Sequence, residues 1–221
     1  MQGTRHPRIK ICCISSAQEA QDAIRAGAAA LGLVGAMPSG PGVISDEAIL
    51  SIARSVPPPI ATFLLTSETD AAKIIRHHHR VQTSTVQIVD ALDRGTYRDI
   101  RLALPGVKLV QVIHVVDESS IDEALRLAEQ VDAILLDSGN PTLAVKELGG
   151  TGRVHNWQLS RKIREQLDTP IFLAGGLHPG NVREAIETVE PFGLDLCSGV
   201  RTNGQLDVQK LEAFFAAVYH T

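Results

Sequence analysis

The sequence predicts a single-domain α/β protein, a (β/α)8 TIM barrel over residues 1–221, and three observations carry the prediction. Short apolar runs alternate with helical patterns eight times along the chain. The runs are nearly continuous in Ala, Val, Ile and Leu, as strands read when both faces of a parallel sheet are covered. The last two runs break into glycine, as Ile171-Phe172-Leu173-Ala174-Gly175-Gly176 and Leu194-Asp195-Leu196-Cys197-Ser198-Gly199-Val200. Such strand ends leave backbone N–H groups approachable where the next helix begins, which is phosphate-binding geometry, and in this barrel class the last two loops commonly form that site. An open doubly wound sheet is the alternative. Against it, the first strand lacks a Gly-x-Gly-x-x-Gly turn and the glycine-ended strands come late.

Taken in order, strands are expected at 8–15, 29–34, 60–65, 85–89, 107–116 and 133–136, followed by the two glycine-ended runs. Helices are expected at 17–28, from Ser45 as N-cap, from Ser67 or Thr69 to about His79, and at 97–104, 120–130, 156–167, 179–189 and 207–219. Pro57-Pro58-Pro59 ends the second helix, and Pro105-Gly106 the fourth. The longest connection, 138–154, contains Gly149-Gly150-Thr151-Gly152.

Composition sets the class of partner. Hydrophobic residues make up 44% of the chain and aromatics only 4%, which suits an aliphatic barrel core. Lys and Arg number 21 against 25 Asp and Glu, a net charge of −4, with no basic cluster interleaved with aromatics, so nucleic acid is not an expected partner. No apolar run reaches membrane-spanning length, residues 1–10 lack a signal pattern, and the three cysteines are an odd number with two adjacent. A cytoplasmic protein with free thiols and no membrane partner is expected. His77-His78-His79 reads as a solvated helix terminus rather than a metal site, because adjacent helical residues point to different faces. No metal is expected.

Two strand-borne residues carry candidate chemistry. Asp137 closes the apolar run Ala133-Ile134-Leu135-Leu136, and a carboxyl desolvated there has its pKa raised towards the range of a general acid; an N-cap or loop role is the competing reading. Cys12 alternates with Lys10 and Ile14, so it faces the barrel interior with Lys10, while Ile11 and Cys13 face the helix layer. An ammonium beside a thiol favours the thiolate, a competent base. Taken alone, both cysteines also read as small core hydrophobes.

In sequence order these features resemble the phosphoribosylanthranilate isomerase family. The correspondence runs through Lys10-Ile11-Cys12-Cys13-Ile14-Ser15, Val86-Gln87-Ile88, Leu135-Leu136-Asp137, Gly149-Gly150-Thr151-Gly152, His155-Asn156-Trp157, Leu173-Ala174-Gly175-Gly176-Leu177, Asn181-Val182 and Ser198-Gly199-Val200. The resemblance implies a cofactor-free Amadori rearrangement of an aminoribosyl phosphate in tryptophan, hence aromatic amino acid, biosynthesis. It implies Cys12 as general base and Asp137 as general acid. Gly175, Gly176, Ser198 and Gly199 would hold the phosphate, and Lys10, Gln87, Gly150 and Gly152 would contact the substrate.

The departures cluster at one end of the implied ligand. Gly42 stands where the family has an arginine that holds the anthranilate carboxylate, a contact worth roughly 1.5 to 3 kcal/mol. Cys13 replaces a glycine, Val89-Asp90 a His-Gly, His155-Asn156 a Phe-Asp, and His114 lies where arginine is common. Arg153 and Arg201 are candidates for the missing cation, and restoring an arginine at position 42 is expected to raise activity. Two alternatives stay open: a divergent paralogue acting on a different phosphorylated aminosugar, and a non-catalytic protein that binds a phosphorylated metabolite.

Overall fold

The computed structural model describes residues 6–38, 40–139 and 154–219. Strands and helices alternate as β1 (Arg8–Ile11), α1 (Ala17–Ala26), β2 (Ala30–Val34), α2 (Asp46–Ser55), β3 (Ala61–Thr66), α3 (Ala71–Val81), β4 (Thr85–Ile88) and α4 (Tyr97–Ala103). They continue as β5 (Lys108–His114), α5 (Ser119–Ala128), β6 (Ala133–Asp137), α6 (Trp157–Gln166), β7 (Ile171–Leu173), α7 (Val182–Val189) and β8 (Gly193–Leu196). A 3-10 turn (Ser198–Val200) and a hairpin of β9 (Arg201–Thr202) with β10 (Gln205–Leu206) precede α8 (Val208–Tyr219). Strands β1 to β8 pair in parallel and in chain order, and β8 pairs back to β1, which closes the barrel. The expected fold is the observed one.

Alternation along each strand sorts two cores. Even-numbered residues of β1, β2 and β5 and odd-numbered residues of β3, β4 and β6 turn inward, so Ala30, Val34, Phe63, Leu65, Val110, Val112, Ala133 and Leu135 pack inside the barrel with Phe172. Ile9, Ile11, Leu31, Leu33, Leu64, Ile113 and Leu136 turn outward under the helices, where each buried aliphatic contributes about 1.5 to 3 kcal/mol. Phe172 meets Phe63 and Phe192 edge-on, with centroids 6.0 and 5.6 Å apart, and Gly193 leaves the room its ring needs: a Cβ there would lie 2.5 Å from Phe172 Cε1.

Local chemistry sets the helix starts. Ser45 caps α2 as expected, accepting from Ala48 N at 3.2 Å, and Thr96 forms a capping box with Asp99. The cap of α3 is Asp70, not Ser67 or Thr69: its carboxylate accepts from Ala72 N at 2.8 Å and Lys73 N at 3.3 Å. Helix α7 begins three residues later than expected, because Asn181 spends its side chain on the preceding turn, accepting from His178 N and donating to Gly176 O, both at 2.9 Å. The hairpin at 201–206 is an unexpected element, and Asn203 and Gly204, with φ of 51° and 80°, make its turn.

The histidine run is also placed differently. His77 and His78 are buried, at 6% and 7% exposure, because they continue the inward face of Ala71, Ile74 and Val81. His77 Nε2 lies 3.0 Å from Asp46 Oδ1, and His78 Nε2 donates to Thr83 O at 2.7 Å. No helix among the described residues is long and apolar enough to cross a membrane.

Candidate active site

The C-terminal ends of the strands open into a cleft. Cys12, Gln87, Asp137, Gly175, Gly176, Ser198 and Gly199 all line it. Lys10 does not: it is fully buried one layer below, and Gly150 and Gly152 lie outside the described residues, as does Arg153.

Lys10 sits where it does because of a residue that the reading of the sequence passed over. Barrel closure pairs Lys10 with Asp195 in register, and Lys10 Nζ lies 2.8 Å from Asp195 Oδ2 and 5.2 Å from the centroid of the Phe63 ring. Burial alone would lower the ammonium's pKa, but the Asp195 carboxylate and the thiols of Cys12 and Cys13 outweigh it and hold the pKa above its ordinary value. Gly32 on β2 leaves the space: a Cβ there would meet Cys12 Sγ at 2.8 Å and Lys10 Nζ at 3.2 Å. The signal for Asp195 was present, since an acid inside Leu194-Asp195-Leu196 is as anomalous as Asp137. Its partner becomes visible only when β8 is laid against β1.

Asp137 is 7% exposed at the end of β6, beside His114 in the register of β5. Burial pushes its carboxyl pKa up, against the hydrogen bond from Ser138 N (2.8 Å) and the charges of His114 and Lys10, and Asp195 adds to the rise. Such a carboxyl leans towards its protonated, proton-donating form. Gln87 also projects into the cleft, and its buried Oε1 has no hydrogen-bond partner among the described residues.

The two glycine-ended loops are interlocked. Gly175 and Gly176 adopt φ of 85° and 63°, open to glycine at little cost, and Asn181 ties Gly176 O from the far side of the loop. A Cβ on Gly199 would fall 2.0 Å from Leu177 O, so the loop after β8 lies directly on the backbone of the loop after β7.

Cys13 departs from its expected orientation. The strand ends at Ile11, and Cys13 takes a left-handed φ of 62°, which breaks the alternation and brings its side chain to the cleft beside Cys12. Hydrogen bonding to Cys12 and then to Cys197, together with burial, pushes the Cys13 thiol up. The Cys13 hydrogen bond holds Cys197 below its ordinary value despite burial, with help from Arg201, so Cys197 meets the site through its thiol and not through its backbone alone.

Gly42 is packed under Cys13. With φ of 81°, a Cβ there would lie 2.5 Å from Cys13 Cβ and 2.9 Å from Cys13 Cα. Gly42→Arg alone is therefore expected to destabilise the fold by about 2 to 5 kcal/mol and to give no gain in activity, the reverse of the expectation from sequence. Thermal melts and assays of Gly42→Arg with and without Cys13→Gly check this: the double variant should recover much of the lost stability. Arg201 does not supply the missing cation either, since its guanidinium is buried against Glu19. Among the described residues lining the cleft, the charged groups are both carboxylates, Asp137 and Asp195. No group of three or more His, Cys, Asp or Glu among the described residues could hold a metal ion.

A closed (β/α)8 barrel with a cleft at its C-terminal mouth that holds a thiol and a buried carboxyl defines the class, a barrel enzyme. The sequence profile of the N-(5'-phosphoribosyl)anthranilate (PRA) isomerase family matches residues 9–217. The chain belongs to the PRA isomerase family, whose members are intramolecular aldose–ketose isomerases. The N-(5'-phosphoribosyl)anthranilate isomerase 2 of Methanosarcina mazei is 35% identical over 209 residues, 94% of this chain and 92% of its own. The isomerase of Haloarcula marismortui is 34% identical over 198 residues, covering 89% and 88% of the two chains. The crystal structure of the Thermotoga maritima enzyme superposes with a TM-score of 0.80 at 29% identity, covering 96% of this chain and 98% of its own. A PRA isomerase in complex with reduced 1-(o-carboxyphenylamino)-1-deoxyribulose 5-phosphate gives 0.77 at 27% identity over the same shares.

Proposed function

We propose that the protein isomerises phosphoribosylanthranilate by a cofactor-free Amadori rearrangement in tryptophan biosynthesis, in the cytoplasm, with Asp137 as general acid and Cys12 as general base. The carrying observation is that one cleft joins the Cys12 thiol, the buried Asp137 carboxyl and the backbone of Gly175, Gly176, Ser198 and Gly199. Asp137 gives its proton to the ring oxygen of the ribose, the C1–O bond breaks, and the nitrogen lone pair forms the C1=N bond of a protonated Schiff base. Cys12 as thiolate removes the C2 proton, and those electrons form the C1=C2 bond of an enolamine as the C=N pair returns to nitrogen. Tautomerisation to the 2-ketone completes an exchange in which no redox equivalent enters or leaves. The glycine backbone holds the phosphate, and the Gln87 Oε1 accepts from a substrate hydroxyl or N–H.

The apolar wall opposite the glycine loops, formed by Val34, Met37, Pro41 and Leu65, suits an aryl ring. Purified protein is expected to consume phosphoribosylanthranilate without cofactor, and Cys12→Ser to lower kcat about 10^3-fold with the fold intact. Wild-type protein without turnover would overturn the assignment. A different phosphorylated aminosugar is the second reading, favoured by the lack of a lining cation among the described residues and by Gly42 locked under Cys13. Turnover of another aminoribosyl phosphate, with phosphoribosylanthranilate untouched, selects it. Ligand binding without any turnover selects a non-catalytic binder.

A further inference from the structure

We propose that Arg201 is a positioning residue for Cys12, clamping the Cys12–Cys13 turn from behind so that the thiol is delivered to the cleft; this rests on Cys12 being the base. The turn is not self-supporting. Cys13 holds a left-handed backbone that a residue with a Cβ disfavours, between Cys12 N, which donates to Leu196 O at 2.7 Å, and Ile14 N, which donates to Gly32 O on β2 at 3.0 Å. A donor to the carbonyls between those two bonds must complete the hold.

The Arg201 guanidinium does so. Its Nη2 donates to Cys13 O and, at 3.4 Å, to Cys12 O, so two consecutive carbonyls point at one buried cation. The fork is itself fixed: Nη1 meets Glu19 Oε1 at 3.1 Å, Nη2 meets Glu19 Oε2 at 3.0 Å, and Nη1 also donates to Gly204 O at 2.8 Å. Glu19 in turn accepts from Ser15 N at 2.9 Å and Leu206 N at 2.8 Å, which binds α1 to the 201–206 hairpin. Side-chain exposure is 7% for Arg201 and 13% for Glu19, so solvent screens the pair little. Burial acts to raise the Glu19 carboxyl, yet the hydrogen bonds from Arg201, Leu206 and Ser15 hold it below its ordinary value, which keeps the pair charged.

Arg201 does not line the cleft, so its action on the reaction is indirect. The geometry also ties two parts of the site together, because the hairpin carrying Arg201 continues directly from Ser198 and Gly199. The base-bearing turn is thus tethered to the segment that follows the glycine loop after β8, while Gly199 in that loop rests on the Leu177 backbone and not on Arg201.

The test is a double-mutant cycle read as kcat and KM, with Arg201→Met and Arg201→Lys each made in wild-type and Cys13→Gly backgrounds. Arg201→Met is expected to lower kcat roughly 30- to 100-fold with KM within about twofold, since the base is displaced and the phosphate end is not. Arg201→Lys, which keeps a cation for the carbonyls, should regain about tenfold. In the Cys13→Gly background the Arg201→Met loss should shrink below about fivefold, because glycine takes the turn unaided. A folded Arg201→Met with unchanged kcat, or an equal loss in both backgrounds, overturns the proposal. If Arg201→Met does not fold, the same comparison is made with Arg201→Lys. Cys12→Ser separates the two readings: full activity in that variant removes the base assignment, whereas its inactivity beside an unaffected Arg201→Met removes the clamp alone.

Discussion

Asp137→Asn is expected to lower kcat on phosphoribosylanthranilate about 10^3-fold while making the fold more resistant to unfolding at alkaline pH. The amide keeps the oxygen that accepts Ser138 N–H and loses the proton that the ring oxygen needs. The stability change follows from the direction of the pKa shift. Burial raises the Asp137 carboxyl in the folded state, so its contribution to stability is complete below the unfolded pKa and is lost as pH rises through the folded one. Asparagine does not titrate. The gap in melting temperature between variant and wild type should therefore be small in acid and open with rising pH in the variant's favour. Melts across pH, paired with steady-state kinetics, read both effects. A variant that turns over normally, or a gap that ignores pH, would remove Asp137 from the role of acid.

Lys10→Met is expected to cost about 3 to 5 kcal/mol of unfolding free energy. The substitution keeps the stem that packs near Phe63 and leaves the Asp195 carboxylate, at 8% exposure, without its cation. Lys10→Met with Asp195→Asn removes both charges and should restore at least half of the loss. Urea titrations of the two variants measure it. A cost below about 1 kcal/mol for Lys10→Met alone would mean that the pair does not hold the two strands. The same substitution should also disturb catalysis, because Lys10 acts on the charge of Asp137 and Cys12 is its neighbour.

The barrel was legible because its determinants are local. Continuous apolar runs, Ser45 ahead of Asp46 and Glu47, and glycine after the last two runs each act within a few residues. Some misses were also locally encoded: the Asn203-Gly204 dipeptide marks a hairpin turn, and the spacing of Ala71, Ile74, His78 and Val81 already put a histidine on the inward face of α3. Others were not. The orientation of Cys13 depends on a left-handed turn held by Arg201, almost 190 residues away in sequence, and on Gly42 beneath it. Strand alternation, the only rule available from Lys10-Ile11-Cys12-Cys13, sends that side chain the wrong way. Asp195 stood in plain view, but its meaning needed the closing β8–β1 register.

The contact between Gly199 and the Leu177 carbonyl bears on the entropy of binding. Two loops packed too closely for a side chain between them are held to one another, so the phosphate proposed to bind there would meet donors already arrayed. The cost of ordering is met during folding, once, and not with every turnover. Affinity at this end should thus vary little with temperature-driven loop motion, and discrimination among ligands would fall to the part of the cleft lined by Met37 and Pro41.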